Sequence, residues 1–415
     1  HVAVLIDAAV DGPLQLRPPD EPLGQGRQRL RWSRLLQEGP HLGGGAQGGP
    51  HPDNLLREED RPPARPIDQG THIGKPAQRR PESPGQELGG RPGLRLEAGH
   101  PLPAPGGALG DWFFDAADSG SLVRYLTTFE HTIAVMQTAD QLRRVAREWV
   151  EDLAADGVVY GEARWAPEQH TRGGLSLPDA VAAVGAGLAD GMAAAEAAGT
   201  PFVARQLVTS LRHTPPNPEV VELAVAGEHL VAGFDLAGPE DGFGAELHAA
   251  SFARLRETFT PFTVHAGEAA GVASIAGALH VGALRLGHGV RVVEDITRDA
   301  SGYRLGPVAR WVLDRRIPLE VSPSSNLQTG ICGTVTEHPF GLLERLGFVV
   351  TVNCDNRLMS RTSYTRETEL LVEAFGYGPA DLERFATDAA RAAFLPHEER
   401  ERLVAEVIAP AYEGL

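Results

Sequence analysis

Four short segments of the chain place polar or ionisable side chains directly after apolar runs, where a β-strand would end. These segments cover residues 262–268, 285–289, 321–326 and 351–356. Their imidazoles and carboxylates are ligand types that suit zinc, and water bound to zinc has a pKa of about 7. Taken together and in this order, the four segments predict metal-assisted hydrolysis.

Each of these side chains can be given a provisional role from its type and spacing. His265 and Asp355 are the candidate zinc ligands. Glu268 follows His265 by three residues, and a carboxyl group of raised pKa there could donate and recover protons, which contributes roughly 10²- to 10⁴-fold in rate. His288 lies between two glycines that let the backbone come close, and it could orient or stabilise the attacking hydroxide.

Short β-rich runs alternate with helical segments over the last 310 or so residues. These strands and helices must position the polar residues that follow the apolar runs. The runs are apolar without strict alternation, which is typical of a parallel sheet covered by helices. An open doubly wound sheet and a closed barrel both fit this pattern. Polar residues repeatedly follow the strand ends, which favours a (βα)8 TIM-type barrel of the α/β class. The strands are predicted at 157–163, 203–209, 230–236, 262–266, 283–286, 317–321 and 348–353, and helices at 139–155, 178–198 and 245–257.

The first part of the chain differs in composition from the rest. Residues 1–100 contain 16 Gly and 14 Pro, and Trp32 is the only aromatic residue before Ala108. Such a sequence cannot bury enough apolar surface to offset its ordering entropy. We therefore expect residues 1–95 to be a disordered or out-of-frame segment and residues 96–415 to be the barrel domain. The first strand of the barrel should precede Asp111 but is not recognisable.

The net charge of −17 excludes some classes of partner. The net charge lies entirely in residues 101–415, which contain 25 basic and 42 acidic residues. This charge repels phosphate backbones, so no nucleic-acid partner is expected. The opening apolar run is too short to span a membrane and has no basic flank, which predicts a cytoplasmic protein without a membrane partner.

The chain has two cysteines, Cys332 and Cys354, which cannot form a disulfide framework or a four-thiolate zinc site. Cys354 is expected to pack behind the site, because neighbouring strand residues point to opposite faces. His170, His213 and His338 are expected to be structural.

The motifs HAGE, LGHG, PSSN and VNCDN occur in this order within residues 265–356, and they resemble those of the adenosine deaminase family of zinc-dependent (βα)8 aminohydrolases. The sequences of these motifs are close to those of actinobacterial members of the family. Further similar stretches lie at 108–113, 121–126, 166–170 and 233–238, so the resemblance covers residues 97–415, roughly three quarters of the chain. The resemblance implies one zinc ion per chain and a purine nucleoside substrate.

The resemblance also implies individual roles. His265 resembles a zinc-binding histidine and Asp355 the zinc-binding aspartate. Glu268 resembles the residue that protonates purine N1, and His288 resembles the histidine that helps to activate the attacking hydroxide. Gly238 resembles the residue whose backbone amide meets purine N3.

One departure from the family pattern concerns the residue that contacts N7 of the base. The family has a second aspartate there, whereas this chain has Asn356. An amide NH₂ donates at any pH, so Asn356 can make the same contact. The base that is accepted, or the substituent on its ribose, could nevertheless differ.

A second departure is that the chain contains no His-x-His pair, which in the family supplies two zinc ligands at the end of the first strand. The isolated histidines His41, His51, His72 and His100 are expected to be solvent-exposed. The N-terminal segment, which has almost no aromatic residues, ends where the resemblance begins. The chain has one Lys and 37 Arg, which is the composition expected of a GC-rich gene. The interpretation is that residues 1–94 come from a wrong reading frame or a mis-set gene start.

The sequence therefore predicts hydrolytic deamination of adenosine or deoxyadenosine to an inosine-type product and ammonia. Two alternatives remain. The chain could deaminate another 6-aminopurine such as adenine or aminodeoxyfutalosine, or it could be a metal-free, inactive purine-binding barrel. The oligomeric state is not predicted.

Overall fold

A computed structural model of the protein describes residues 100, 101, 103–105, 108–300 and 302–415. The predicted N-terminal segment, the hypothesis about its reading frame, and His41, His51 and His72 lie outside the described residues. No strand occurs among the described residues before Asp111. The predicted first strand therefore stays a prediction.

Seven parallel strands form one curled sheet, and they lie in the sheet in the same order as in the chain. Helices alternate with the strands, so the described residues form an incomplete (βα)8-type barrel and confirm the predicted fold class. All seven predicted strands are present, and that at 262–266 has the predicted bounds. The strands of the sheet are β1 (Tyr160–Trp165), β2 (Val203–Leu211), β3 (Val231–Ala237), β4 (Phe262–Ala266), β5 (Arg285–His288), β8 (Leu319–Val321) and β9 (Val350–Val352).

A separate antiparallel hairpin lies between β5 and β8. It consists of β6 (Ile296–Asp299) and β7 (Gly302–Leu305), and most of its residues are exposed. Its strands carry no apolar pattern, so the hairpin was not predicted from the sequence.

Some helices begin at a residue whose side chain caps the first turn. Thr138 accepts a hydrogen bond from the Gln141 backbone N–H, and the Gln141 side chain accepts one from Thr138, which is a capping box. The α-helices are α1 (Leu109–Ala117), α2 (Leu122–Leu126), α3 (Phe129–Ala134), α4 (Ala139–Ala155), α5 (Leu177–Ala197), α6 (Pro218–Ala226), α7 (Ala249–Glu257), α8 (Val272–Val281), α9 (Pro307–Asp314), α10 (Pro323–Gln328), α11 (Phe340–Arg345), α12 (Arg357–Ser360), α13 (Tyr364–Phe375), α14 (Pro379–Ala392), α15 (His397–Arg402) and α16 (Ala409–Tyr412).

Helices α4 and α5 pack closely because α5 presents glycines to its neighbour. A Cβ on Gly187 would lie 2.1 Å from the Arg143 carbonyl oxygen of α4. Helix α5 has 21 residues and a mean hydropathy of 1.2 over its most apolar stretch, so it could cross a membrane by length and composition alone. Half of that stretch is buried inside the protein, where it forms part of the main hydrophobic core.

A chain of buried ion pairs fills the barrel interior between β1, β5 and β8. Glu320 lies 2.9 Å from Arg164 and 2.7 Å from Arg285, and Arg285 lies 2.6 Å from Glu162. All four side chains are at most 1% exposed. Arg164 also lies 3.6 Å from Asp235 on β3, so this interior network reaches the carboxyl end of the sheet.

Candidate active site

The polar residues predicted from the strand ends lie close together at the carboxyl edge of β4, β5, β8 and β9. Strand pairing sets Ala266 opposite His288, and the rings of His265 and His288 are 5.5 Å apart between centroids. Ser325 and Asn326 follow β8 on α10, and Asp355 follows β9. The structure therefore brings these segments to one edge, as the parallel topology requires.

Asp235 at the end of β3 holds the ring of His265. Its Oδ1 lies 3.1 Å from His265 Nδ1, which leaves Nε2 as the free ring nitrogen. Burial by itself would raise the pKa of Asp235, but the nearby His265 and Arg164 charges lower it to about 2. Asp235 is therefore ionised and orients His265, as carboxylates do behind metal-binding histidines.

The carboxylate of Asp355 is held from both sides. The Ser325 hydroxyl donates to Oδ2 at 2.6 Å, and the Asn356 amide donates to Oδ1 at 2.8 Å. Asp355 has a φ of 56°, in the left-handed region that few non-glycine residues adopt. Burial raises the pKa of Asp355. These contacts fix the carboxylate in one orientation at a strained backbone position.

Glu268 and His288 form a pair whose pKa values are shifted in opposite directions. Glu268 Oε2 lies 3.4 Å from His288 Nε2. Burial raises the pKa of Glu268 to about 7 and lowers that of His288 to about 4. Near neutral pH the imidazole is therefore neutral while the carboxyl group is about half protonated. Glu268 Oε1 has no hydrogen-bond partner among the described residues, so it can serve a bound molecule.

The loop that carries Glu268 is fixed by the carboxylate of Glu240. This carboxylate accepts hydrogen bonds from the backbone N–H groups of Glu268 at 3.0 Å, Ala269 at 2.7 Å and Ala270 at 2.9 Å, and also from that of Gly267. Burial opposes the ionisation of Glu240, but these donors outweigh it and lower its pKa.

Gly238 and Asn356 are the two predicted substrate contacts. Gly238 follows β3 with a φ of 102°, which favours glycine, and a Cβ there would lie 3.1 Å from His213 Nδ1. The Asn356 NH₂ already donates to Asp355, and its carbonyl oxygen has no partner among the described residues. A contact from Asn356 to a purine nitrogen would therefore use the second N–H of the same amide.

Sequence reasoning missed Asp235 and Glu240. Asp235 lies within the similar stretch 233–238, but its partner His265 is 30 residues away along the chain. Glu240 follows that stretch and contacts a loop 27 to 30 residues further on. The available signals were a carboxylate within the last residues of a buried strand for Asp235 and a carboxylate shortly after that strand for Glu240. Cys354 lies in the hydrophobic core, as predicted, and His170 is buried with Nδ1 2.7 Å from the Met136 carbonyl oxygen.

The donor set for zinc is of the right kind but incomplete in this part of the chain. His265 offers an imidazole nitrogen, and Asp355 offers carboxylate oxygens. Catalytic zinc sites use about three protein ligands, and no group of three or more His, Cys, Asp or Glu side chains is arranged for a metal within the residues described. Within the described residues, His265 and Asp355 are therefore the two candidate ligands.

Comparison with known proteins identifies the family. A family model described as Adenosine deaminase matches residues 89–410. The chain belongs to the adenosine deaminase family. It is 53% identical over 310 residues to the adenosine deaminase of Mycolicibacterium vanbaalenii, covering 74% of this chain and 86% of the relative. The adenosine deaminase 1 of Streptomyces coelicolor is 51% identical over 310 residues, with 74% of this chain and 78% of the relative covered. The predicted resemblance is thus confirmed.

Two solved structures share the fold of this chain. Adenine deaminase from Arthrobacter aurescens matches with a TM-score of 0.66 and 24% identity, over 77% of this chain and 93% of that one. An amidohydrolase from Burkholderia ambifaria with bound zinc matches with a TM-score of 0.64 and 23% identity, over 77% and 85%. At these identities the similarity establishes the barrel fold alone.

Proposed function

We propose that the protein catalyses the hydrolytic deamination of adenosine or deoxyadenosine to inosine or deoxyinosine and ammonia. The observation that carries this proposal is the buried Glu268 carboxyl group, which has a pKa of about 7 and an oxygen without a partner among the described residues. The relatives that are 51–53% identical over most of their length carry the name adenosine deaminase, which supports adenosine as the substrate.

In the proposed reaction the protonated Glu268 donates its proton to N1 of the adenine ring. Protonation at N1 withdraws electron density from C6, so that a water molecule can add there. The 6-amino group then takes up one of the two protons of this water and leaves as ammonia. The other proton returns to the Glu268 carboxylate, and the oxygen of the water remains on C6. His288 lies beside Glu268 and is neutral, which suits it to hold the attacking oxygen by a hydrogen bond.

The proposal includes zinc, with His265 and Asp355 as two of its ligands. When bound, zinc would lower the pKa of water to about 7. Asp235 would keep His265 in the required orientation, and Ser325 and Asn356 would do the same for Asp355. A role in purine salvage in the cytoplasm is proposed together with this activity.

Asn356 supports a second candidate, which is deamination of a different 6-aminopurine. Its amide lies beside Asp355, where the family pattern has a carboxyl group, and it lacks that group's ability to change protonation state. Adenine and aminodeoxyfutalosine are the alternatives to adenosine. A single substitution of Asn356 by Asp restores the family pattern and serves as the matched variant.

The test combines an activity panel with metal analysis of the full chain. Adenosine, deoxyadenosine, adenine and aminodeoxyfutalosine are each followed by the absorbance change on loss of the 6-amino group. We expect the highest kcat/KM for adenosine or deoxyadenosine, a loss of roughly 10²- to 10⁴-fold in Glu268→Gln, and near-stoichiometric zinc by elemental analysis. Purine binding without zinc and without turnover would instead support an inactive binding barrel and contradict the proposal.

A further inference from the structure

A continuous chain of hydrogen bonds runs from the first backbone N–H of α11 to the candidate active site. The Phe340 backbone N–H donates to His338 Nδ1 at 3.0 Å, and His338 Nε2 lies 3.1 Å from Asn326 Oδ1. Asn326 Nδ2 lies 3.0 Å from His288 Nδ1, and His288 Nε2 lies 3.4 Å from Glu268. His338, Asn326 and His288 are each at most 3% exposed, so water does not compete for these contacts.

The Phe340 backbone N–H fixes which groups donate and which accept along this chain of hydrogen bonds, because a backbone N–H can donate but cannot accept. His338 Nδ1 must therefore carry a lone pair, and the hydrogen of a neutral ring is then on Nε2. Burial lowers the pKa of His338 to about 3, which keeps the ring neutral. The Nε2–H of His338 then donates to the oxygen of Asn326.

The Asn326 amide then fixes the role of His288 Nδ1 as a hydrogen-bond acceptor. With its oxygen accepting from His338, its NH₂ group faces His288 Nδ1 and donates to it. Reversing the amide would point its NH₂ at the N–H of His338 and would leave two donors in contact. The lone pair of His288 is therefore on Nδ1, and its hydrogen is on Nε2, the nitrogen that faces Glu268.

We propose that His338 is a positioning residue that acts through Asn326 to fix His288 as the tautomer with its hydrogen on Nε2. His288 then presents a hydrogen-bond donor to the reacting centre. The attacking oxygen accepts that hydrogen bond, and Glu268 remains the group that moves a proton. The consequence for turnover rests on the proposed deaminase function, whereas the tautomer of His288 does not.

Three substitutions in the full chain separate this proposal from a structural role of His338. His338→Gln can keep the direction of these hydrogen bonds, because an amide oxygen can accept from Phe340 and its NH₂ can donate to Asn326. His338→Phe removes both contacts. Asn326→Asp reverses the direction, because a carboxylate accepts from both rings and draws a hydrogen onto His288 Nδ1. His170→Phe is the matched control, since it removes another buried histidine that lies outside this chain of hydrogen bonds.

The direct measurement is the nitrogen resonance pattern of ¹⁵N-labelled histidine side chains, with His288 assigned from the signal lost in His288→Gln. We expect an Nε2–H ring in the unaltered protein, His338→Gln and His170→Phe. A mixture of tautomers is expected in His338→Phe, and a hydrogen on Nδ1 is expected in Asn326→Asp. An Nδ1–H ring in the unaltered protein, or one tautomer shared by all variants, would overturn the proposal.

Activity provides the second measurement. Loss of an outer hydrogen-bond partner costs about 10- to 100-fold in activity. We expect His338→Phe to lose this much kcat with little change in KM, while His338→Gln and His170→Phe retain most of it. Equal losses of kcat in His338→Gln and His338→Phe would show a packing role instead. Should His338→Phe fail to fold, Asn326→Asp and His338→Gln still decide the tautomer, and they do so even when no adenosine turnover is detected.

Discussion

Replacing Glu268 by glutamine isolates the proton donor of the proposed reaction. Glutamine has nearly the same size and can still donate a hydrogen bond, but it has no acidic proton to transfer. The side chain is 4% exposed and lies 3.4 Å from the neutral His288. The substitution therefore changes proton transfer while it leaves the packing around the site nearly unaltered.

The expected magnitude follows from burial. A carboxyl group with the ordinary pKa of about 4.5 is protonated in about 0.3% of molecules at pH 7, whereas a pKa of about 7 makes that fraction about one half. Burial thus raises the protonated fraction roughly 150-fold at pH 7. Because the protonated form is the active one, kcat/KM should be constant well below pH 7 and fall about tenfold per pH unit well above it.

The assay measures kcat/KM for adenosine from pH 5.5 to 9, at enzyme concentrations that allow large losses to be detected. Glu268→Gln should lose roughly 10²- to 10⁴-fold at pH 6, and its remaining activity should no longer fall near pH 7. Glu367 is the matched control, because burial also raises its pKa to about 7. Glu367→Gln should keep the decrease in kcat/KM above pH 7. A decrease that persists in Glu268→Gln, or that disappears in Glu367→Gln, would refute the assignment.

Three further predictions concern the site and the barrel. Asp235→Asn removes the charge that orients His265, and zinc affinity should fall about 10- to 100-fold in a competition with a chelator, with unchanged affinity refuting that role. The pKa of Glu367 is raised in the folded chain, so its contribution to stability is complete below pH 4.5 and is lost as the pH rises through 7. The free energy of unfolding of Glu367→Gln, relative to that of the unaltered chain, should therefore rise by up to about 3 kcal/mol between pH 5 and pH 8 in denaturant unfolding. The same difference between the two proteins at both pH values would contradict this. Gly187→Ala should destabilise the fold by about 1–3 kcal/mol, because its Cβ would meet the backbone of α4. Gly277→Ala on α8 makes an ordinary 3.6 Å contact and should stabilise the fold by about 0.5–1 kcal/mol. Equal unfolding midpoints for the two variants would count against the close packing of α4 and α5.

Elements with strong local signals could be predicted from the sequence. Helix α4 has the predicted bounds because the Thr138 capping box and a regular apolar face mark it locally. Strand β4 also has the predicted bounds, as an apolar run that begins after Pro261. Polar residues at consecutive strand ends then indicated one shared site, because parallel strands end at the same edge.

Features that depend on tertiary contacts could not be predicted in this way. The role of Asp235 exists because β3 and β4 are neighbours, and that of Glu240 exists because its loop reaches the backbone after β4. His338 was expected to be structural, and its spacing from Asn326 and His288 contains no sign of a shared chain of hydrogen bonds. Periodicity describes which side chains are buried but not which buried polar groups face one another.

The ion pairs among Arg164, Glu320, Arg285 and Glu162 make the barrel interior respond to temperature differently from an apolar core. Burying charges is unfavourable because their hydration is lost, and this loss becomes smaller on heating because hydration of charged groups has a strongly negative entropy. Apolar burial does not gain in the same way at high temperature. The share of the folding free energy that comes from this network therefore grows as the protein is heated, and the strands that carry it should be among the last to separate during thermal unfolding.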